Sequence, residues 1–171
     1  MNNLRKYKKD DCILFNSKLD SYVMSNMYPC RLVYDGKEFQ SVEQMFHWML
    51  FSENAEIRDV IMKCKGVCNG FQVKNFCAKH ADKIDKSYDS KKYNCLFKCL
   101  EIKYLQCLEF RKAIDESGRK SLVEYAPWDN EYGAVWDKDL QSYVGKNACG
   151  RLMMKVRENA LNGLYNFLNK N

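Results

Sequence analysis

The sequence predicts a single helix-rich α+β domain with a small sheet and a long central helix, and three observations carry that reading. Leu96, Cys99, Leu100, Tyr104, Cys107 and Leu108 recur at steps that keep one continuous apolar stripe on a helix. Short apolar or alternating runs at 12–15 and 31–34 are bounded by turn residues, as strands are. Ser41 stands three residues before Gln44 at the head of an apolar stretch, the signature of a capping box.

The elements follow in order. Residues 12–15, Cys-Ile-Leu-Phe, read as a first strand, and Tyr28-Pro29 opens a loop before a second at 31–34. Asp35-Gly36 is a hairpin turn leading into Lys37-Glu38-Phe39. The cap at Ser41 starts a helix over about 42–52, with Met45, Trp48 and Met49 on one face. A second helix covers 55–65 and ends at Gly66. The long stripe predicts a helix over 90–116, terminated by Gly118. Residues 122–126 read as a strand, followed by a polar, aromatic-rich loop through Tyr143. A last helix starts near Asn147 and turns Leu152, Val156, Ala160 and Leu164 inward.

Composition narrows the function classes. The chain has 171 residues, 46% of them hydrophobic, enough for one core and against global disorder. The longest apolar runs, 12–15 and 48–51, are four residues, far short of a membrane span or a signal-peptide core. A net charge of +6, spread along the chain, favours anionic ligands but falls below that of a dedicated nucleic-acid binder. Nine cysteines, an odd number without a secretion signal, argue against a disulfide framework and for a cytoplasmic protein. Cys64/Cys68 and Cys95/Cys99 have pair spacing, yet the second pair falls mid-helix and only His47 and His80 could complete a metal site. Free buried thiols are the expectation, with no metal and no cofactor.

Several residues could carry chemistry. Glu43 lies in a helix first turn, where the dipole stabilises a carboxylate by about 0.3–1 kcal/mol. That suits a base or a stabiliser of positive charge, although acidic residues are common in first turns for purely structural reasons. Lys37 lies six residues earlier, at the hairpin end. Asp129 sits in Pro127-Trp128-Asp129-Asn130-Glu131-Tyr132-Gly133, an aromatic and acidic loop of the kind that lines pockets or simply turns at a surface. Gly145-Lys146-Asn147-Ala148-Cys149-Gly150 puts small residues at a helix start, where free N–H groups cradle phosphate.

In order, these pieces resemble the NADAR family, the YbiA-like N-glycosidases, from Phe15 to Arg157. Ser25-Asn26 with Tyr28-Pro29 is similar to the family's L-S-N-F-Y-P. Tyr34-Asp35-Gly36-Lys37 through Ser41-Val42-Glu43 and Phe46 is similar to D-G-K…S-x-E-x-x-F. Lys74 with Ala78-Lys79 resembles the next lysine segment, and Tyr88, Lys92, Leu96, Lys103 and Tyr104 fall at the spacings of W…K…M…K-F. Leu122-Val123-Glu124, Asp129 and Tyr132-Gly133 are similar to L-V-E…D-x-x-W-G. Gly145-Lys146-Asn147, Gly150, Leu152-Met153 and Val156-Arg157 resemble G-x-N…G…L-M-x-V-R. The chain departs at Tyr88 and Tyr132, where the family has tryptophans, at Gln44, where His is frequent, at Ala134-Val135 and at the bulky Trp48.

The resemblance implies hydrolysis of an N-glycosidic bond between ribose C1 and an exocyclic amine of a base. The family's substrates are ADP-ribose on guanine in nucleic acid and phosphoribosylamino-pyrimidine intermediates of riboflavin synthesis. It gives catalysis to Glu43, Lys37 and Asp129. A ribosylamine opens to an imine, so Lys37 would displace the base by transimination, with Glu43 as proton shuttle or charge stabiliser. Direct hydrolysis with Glu43 activating water is the competing route. Phe46, Tyr88 and Tyr132 would wall in the base, Asn147 at the last helix start would hold phosphate or ribose, and Asn26, Tyr28, Lys74, Gly133, Gly145 and Gly150 would complete the substrate contacts. Lys74, Lys146 and Arg157 near these motifs favour a diphosphate, hence ADP-ribosylated guanine in DNA or a nucleotide, with weak contact to a nucleic-acid strand and none to a membrane. The alternatives are the riboflavin intermediates, a non-catalytic ADP-ribose-binding module, or a structural or metal-bound partner protein.

Overall fold

The structure, a computed structural model, describes residues 4–166. In chain order its regular elements are strands β1 (Arg5–Lys8), β2 (Cys12–Phe15), β3 (Leu32–Tyr34) and β4 (Lys37–Phe39), then helices α1 (Val42–Leu50), α2 (Ala55–Lys63), α3 (Asn69–Ala78), α4 (Tyr88–Gln106) and α5 (Leu108–Glu116), then β5 (Ser121–Glu124), β6 (Val135–Asp137), β7 (Ser142–Gly145) and α6 (Ala148–Leu161). The class is α+β and helix-rich. By packing, the chain forms two compact units, residues 26–108 and a unit made of the segments before and after them.

In the 26–108 unit, the β3–β4 hairpin turns on Asp35 and Gly36, both at positive φ (51° and 67°). Two successive left-handed residues make the tight turn whose twist matches the strands, which is why Asp-Gly stands there. The Gln106 side chain takes both backbone groups of Val33: Oε1 accepts its N–H at 2.6 Å and Nε2 donates to its carbonyl at 3.0 Å. α1 packs against α2, α3 and α4. Its Trp48 meets Phe39 edge-on at 5.4 Å and carries the Arg58 guanidinium 3.4 Å from its ring centroid. Just past α1, Asp85 accepts the N–H groups of Ser52 and Glu53 and the Ser52 hydroxyl, pinning that turn.

The other unit holds a three-stranded antiparallel sheet, β1-β7-β6, and a parallel pair, β2-β5, with α6 packed on β5. Tyr7, Val123, Ala134 and Tyr143 form its buried cluster, flanked by Leu14 and Trp136.

Several expectations need correction. The long helix breaks at Cys107, whose backbone is extended (φ −109°, ψ 105°), so α4 has 19 residues and α5 follows it. Leu96, Cys99, Leu100, Tyr104 and Cys107 are buried as the stripe demands, but Leu108, beyond the break, is 50% exposed. α6 buries Cys149, Met153 and Val156 and ends at Leu161, leaving Leu164 exposed. α3 is a helix that no pattern in the sequence predicts, and the segment between 126 and 143 contains β6 and the start of β7 rather than loop alone.

Candidate active site

Glu43 is one of the buried polar residues of the 26–108 unit. The Ser41 hydroxyl accepts the Gln44 N–H at 3.1 Å, as a capping residue should, and donates to Asn69 Oδ1 at 2.6 Å. Gln44 reaches back to the N–H of Gln40 at 2.8 Å, one residue earlier than a capping box specifies, and its amide also donates to the carbonyls of Ile61 and Cys64. The Glu43 N–H donates to the Asn26 carbonyl at 3.0 Å. The first turn of α1 is thereby tied to the loop before it, to α2 and to the start of α3.

So fixed, Glu43 is only 8% exposed. Its Oε1 accepts from His47 Nε2 at 3.2 Å, one helical turn on. Burial alone would push its carboxyl up. The His47 hydrogen bond, the His47 charge and the Lys74 ammonium outweigh that and hold it below the ordinary carboxylate range. Close behind lies Gly70 of α3, where a Cβ would meet Met27 Sδ at 2.8 Å and Glu43 Cβ at 3.4 Å, so the absent side chain makes room for the carboxylate's stem. The nearby thiols stay neutral. Burial, with Glu43 and Cys64 adding to it, pushes Cys77 up to about 12, and burial with Cys95 and Glu43 carries Cys99 well above the usual thiol range. The arrangement is a buried carboxylate held ionised by the His47 hydrogen bond and nearby positive charge, able to take a proton or face a developing positive charge.

Other predicted residues of this unit are placed as follows. Phe46 is buried, its ring 5.7 Å from that of His47. Tyr28 lies under the Lys103 ammonium at 5.4 Å, and Tyr88, at the head of α4, under Lys92 at 5.2 Å. Lys37 is exposed at the first position of β4. His47, Asn69, Gly70 and the fully buried Lys103 were not assigned to the site from sequence. His47 had a readable signal, since Glu and His four apart on a helix face one another.

In the other unit, Asp129 Oδ1 accepts the N–H groups of Glu131 and Tyr132 at 3.0 and 3.1 Å, folding the loop on itself. The carbonyls this loop presents then receive the start of α6. The N–H groups of Lys146, Asn147, Ala148 and Cys149 donate to Asn130, Gly133, Glu131 and Tyr132 at 2.7, 3.0, 3.0 and 3.1 Å. This corrects the expected phosphate cradle, because those N–H groups are already taken. Asn147, fully buried and left-handed (φ 47°), donates to the Leu122 carbonyl and accepts the Glu124 N–H, binding α6 to β5. Gly133, Gly145 and Gly150 are points of backbone contact: an added Cβ would lie 2.6 Å from the Glu124 carbonyl, 2.2 Å from that of Gly133 and 2.0 Å from that of Leu122. Arg157 is likewise engaged, with Ser117 Oγ at 2.7 Å and the Lys120 carbonyl at 2.9 Å.

Comparison with known proteins bears on the fold and the family. The chain is similar to the NMR structure of the E. coli protein YbiA, with a TM-score of 0.75 at 24% identity over 91% of this chain and 89% of that one. No curated protein matches it. The family model described as the NADAR domain matches residues 14–161, a span that runs through both units and takes in Glu43, Lys37, Asp129 and every other residue assigned to the site. By that match the chain belongs to the NADAR family.

Proposed function

We propose that the protein is an N-glycosidase that cleaves the bond between ribose C1 and an exocyclic amine of a base, with ADP-ribosylated guanine in nucleic acid as its substrate. Family membership supports N-glycosidase-type chemistry. The single observation that carries the reading for this chain is the buried Glu43 carboxylate, kept ionised by His47 and Lys74. Cleaving a ribosylamine develops positive charge at C1, and a preorganised anion in a water-poor site stabilises that charge better than water does.

In the covalent route the ribose ring opens by breaking the C1–O4 bond, the proton of the exocyclic N–H passing to O4, which leaves an imine between C1 and the base nitrogen. Lys37 gives up a proton to Glu43 and its amine adds to C1. The base nitrogen takes a proton and leaves, and the C1–lysine imine is then hydrolysed by one water, which returns the amine and releases the sugar. Glu43 shuttles the protons and faces the iminium charge. Lys37 is exposed to solvent at the hairpin end.

A second reading has an observation of its own. The N–H groups at the start of α6 are bonded to loop carbonyls, which removes the built diphosphate cradle that favoured ADP-ribose and makes a monophosphate pyrimidine ribosylamine the alternative substrate. The test is direct. Incubation with guanine-ADP-ribosylated oligonucleotides and with phosphoribosylamino-pyrimidines, with released sugar followed by mass spectrometry, ranks the two. Release from neither class overturns the N-glycosidase reading.

A further inference from the structure

We propose that His47 is the positioning residue of this site, its Nε2–H fixing Glu43 Oε1 in place and stabilising the carboxylate charge. The inference rests on the reading of Glu43 as the catalytic carboxylate. It adds a residue that the sequence motifs do not assign to the site.

The geometry is specific. Glu43 and His47 share one face of α1, four residues apart, with Nε2 and Oε1 3.2 Å apart and both side chains largely shielded. An ionised carboxylate only accepts, so Nε2 carries the hydrogen. The other ring nitrogen, Nδ1, is buried and has no hydrogen-bond partner among the described residues. A ring that served packing alone would be replaced at no loss by an apolar side chain. Instead the position keeps an imidazole that leaves one nitrogen unsatisfied and spends the other on Glu43. Broken local rules of this kind concentrate at functional sites.

The neighbours do not supply what His47 supplies. α3 faces Glu43 with Lys74 and the neutral thiol of Cys77, and α4 with the neutral thiol of Cys99. The buried Lys103 of α4 lies over Tyr28, and Arg58 of α2 lies over Trp48. β4 brings only the exposed Lys37 and Glu38, the latter paired with Arg31. His47 is the side chain among the described residues that hydrogen-bonds the carboxylate. Without it, burial is opposed by the Lys74 charge and the start of the α1 dipole.

The test compares the parent protein with His47→Leu and His47→Gln. Glutamate labelled at the side-chain carboxyl carbon lets NMR follow the titration of Glu43, assigned by its loss in Glu43→Gln, without any substrate. In His47→Leu the Glu43 titration should move upward by about one pH unit or more. In His47→Gln, whose amide can still donate to Oε1, the move should be smaller. The acid limb of kcat should follow the same order. An unmoved Glu43 titration in His47→Leu overturns the proposal whatever the activity, and an equal move in both variants overturns its hydrogen-bond basis. If Leu unfolds the chain, a Gln variant that titrates below the parent protein overturns it as well. Graded shifts in a protein that cleaves no ribosylamine would sustain His47 as the positioning residue while removing the N-glycosidase reading.

Discussion

Replacing Glu43 by Gln removes a charge and keeps a shape, which separates chemistry from folding at the residue level. Gln at this position still accepts from His47 and no longer has a buried charge to desolvate, so stability should change by no more than about 1 kcal/mol while turnover is lost. Thermal melting together with single-turnover assays checks this; a melting temperature that falls in step with activity would assign Glu43 a structural role. The depressed Glu43 carboxyl also has a signature in acid. A group with a lowered folded-state pKa stabilises fully above the ordinary glutamate value of about 4.3 and loses that contribution as pH falls through its lower folded value. Acid melts of the parent protein should therefore steepen below about pH 4, and those of Glu43→Gln should steepen less. Lys37→Arg tests the covalent route, because a guanidinium cannot form the imine. Borohydride added during turnover should trap a sugar on Lys37, and full activity in Lys37→Arg would refute it.

At the scale of elements, the loop–helix junction of the unit containing α6 makes the most exacting prediction. Gly150→Ala places a Cβ 2.0 Å from the Leu122 carbonyl, where backbone faces backbone and neither can yield cheaply. It should destabilise by about 2 kcal/mol or more, measured by denaturant unfolding. A neutral result would mean that α6 does not need its close seat on β5. The same junction shows what a sequence hides. Asn147 and the glycines around it carry the right residue types for an anion cradle, and nothing local reveals that the carbonyls of 130–133 fold back onto their N–H groups. The hairpin at Asp35-Gly36 and the cap at Ser41 were legible because each is a local device with its own residues. α3 was not, since Asn69–Ala78 has polar residues around much of its circumference and buries only Asn69, Gly70, Val73 and Cys77. The break at Cys107 was also silent in the sequence. No glycine or proline marks it, and what coincides with it is the Gln106 amide on the Val33 backbone.

At the scale of the whole chain, the question is what a net charge of +6 is for. Lys74 acts on Glu43 through its charge from an exposed position, Arg157 is bonded to the 117–120 turn, and Lys146 lies 4.0 Å from Glu131. Of the three cations that the sequence groups as a phosphate-binding set, Arg157 is hydrogen-bonded within the protein and Lys146 stands at the edge of ion-pair distance from Glu131. The remaining positive charge is dispersed, which steers a polyanion by long-range attraction and gives little grip on one phosphate. That distinction yields different salt dependences. A nucleic-acid substrate drawn in by dispersed charge should lose kcat/KM steeply between 50 and 200 mM salt, while a small monophosphate ribosylamine should change little. If ADP-ribosylated guanine is the substrate, kcat/KM on an ADP-ribosylated oligonucleotide should exceed that on the pyrimidine at low salt and approach that on the free ADP-ribosylated nucleotide at high salt. A hundredfold preference for the pyrimidine at every salt concentration, about 2.7 kcal/mol of transition-state discrimination, would move the assignment to the monophosphate substrate and leave Glu43 and its chemistry in place.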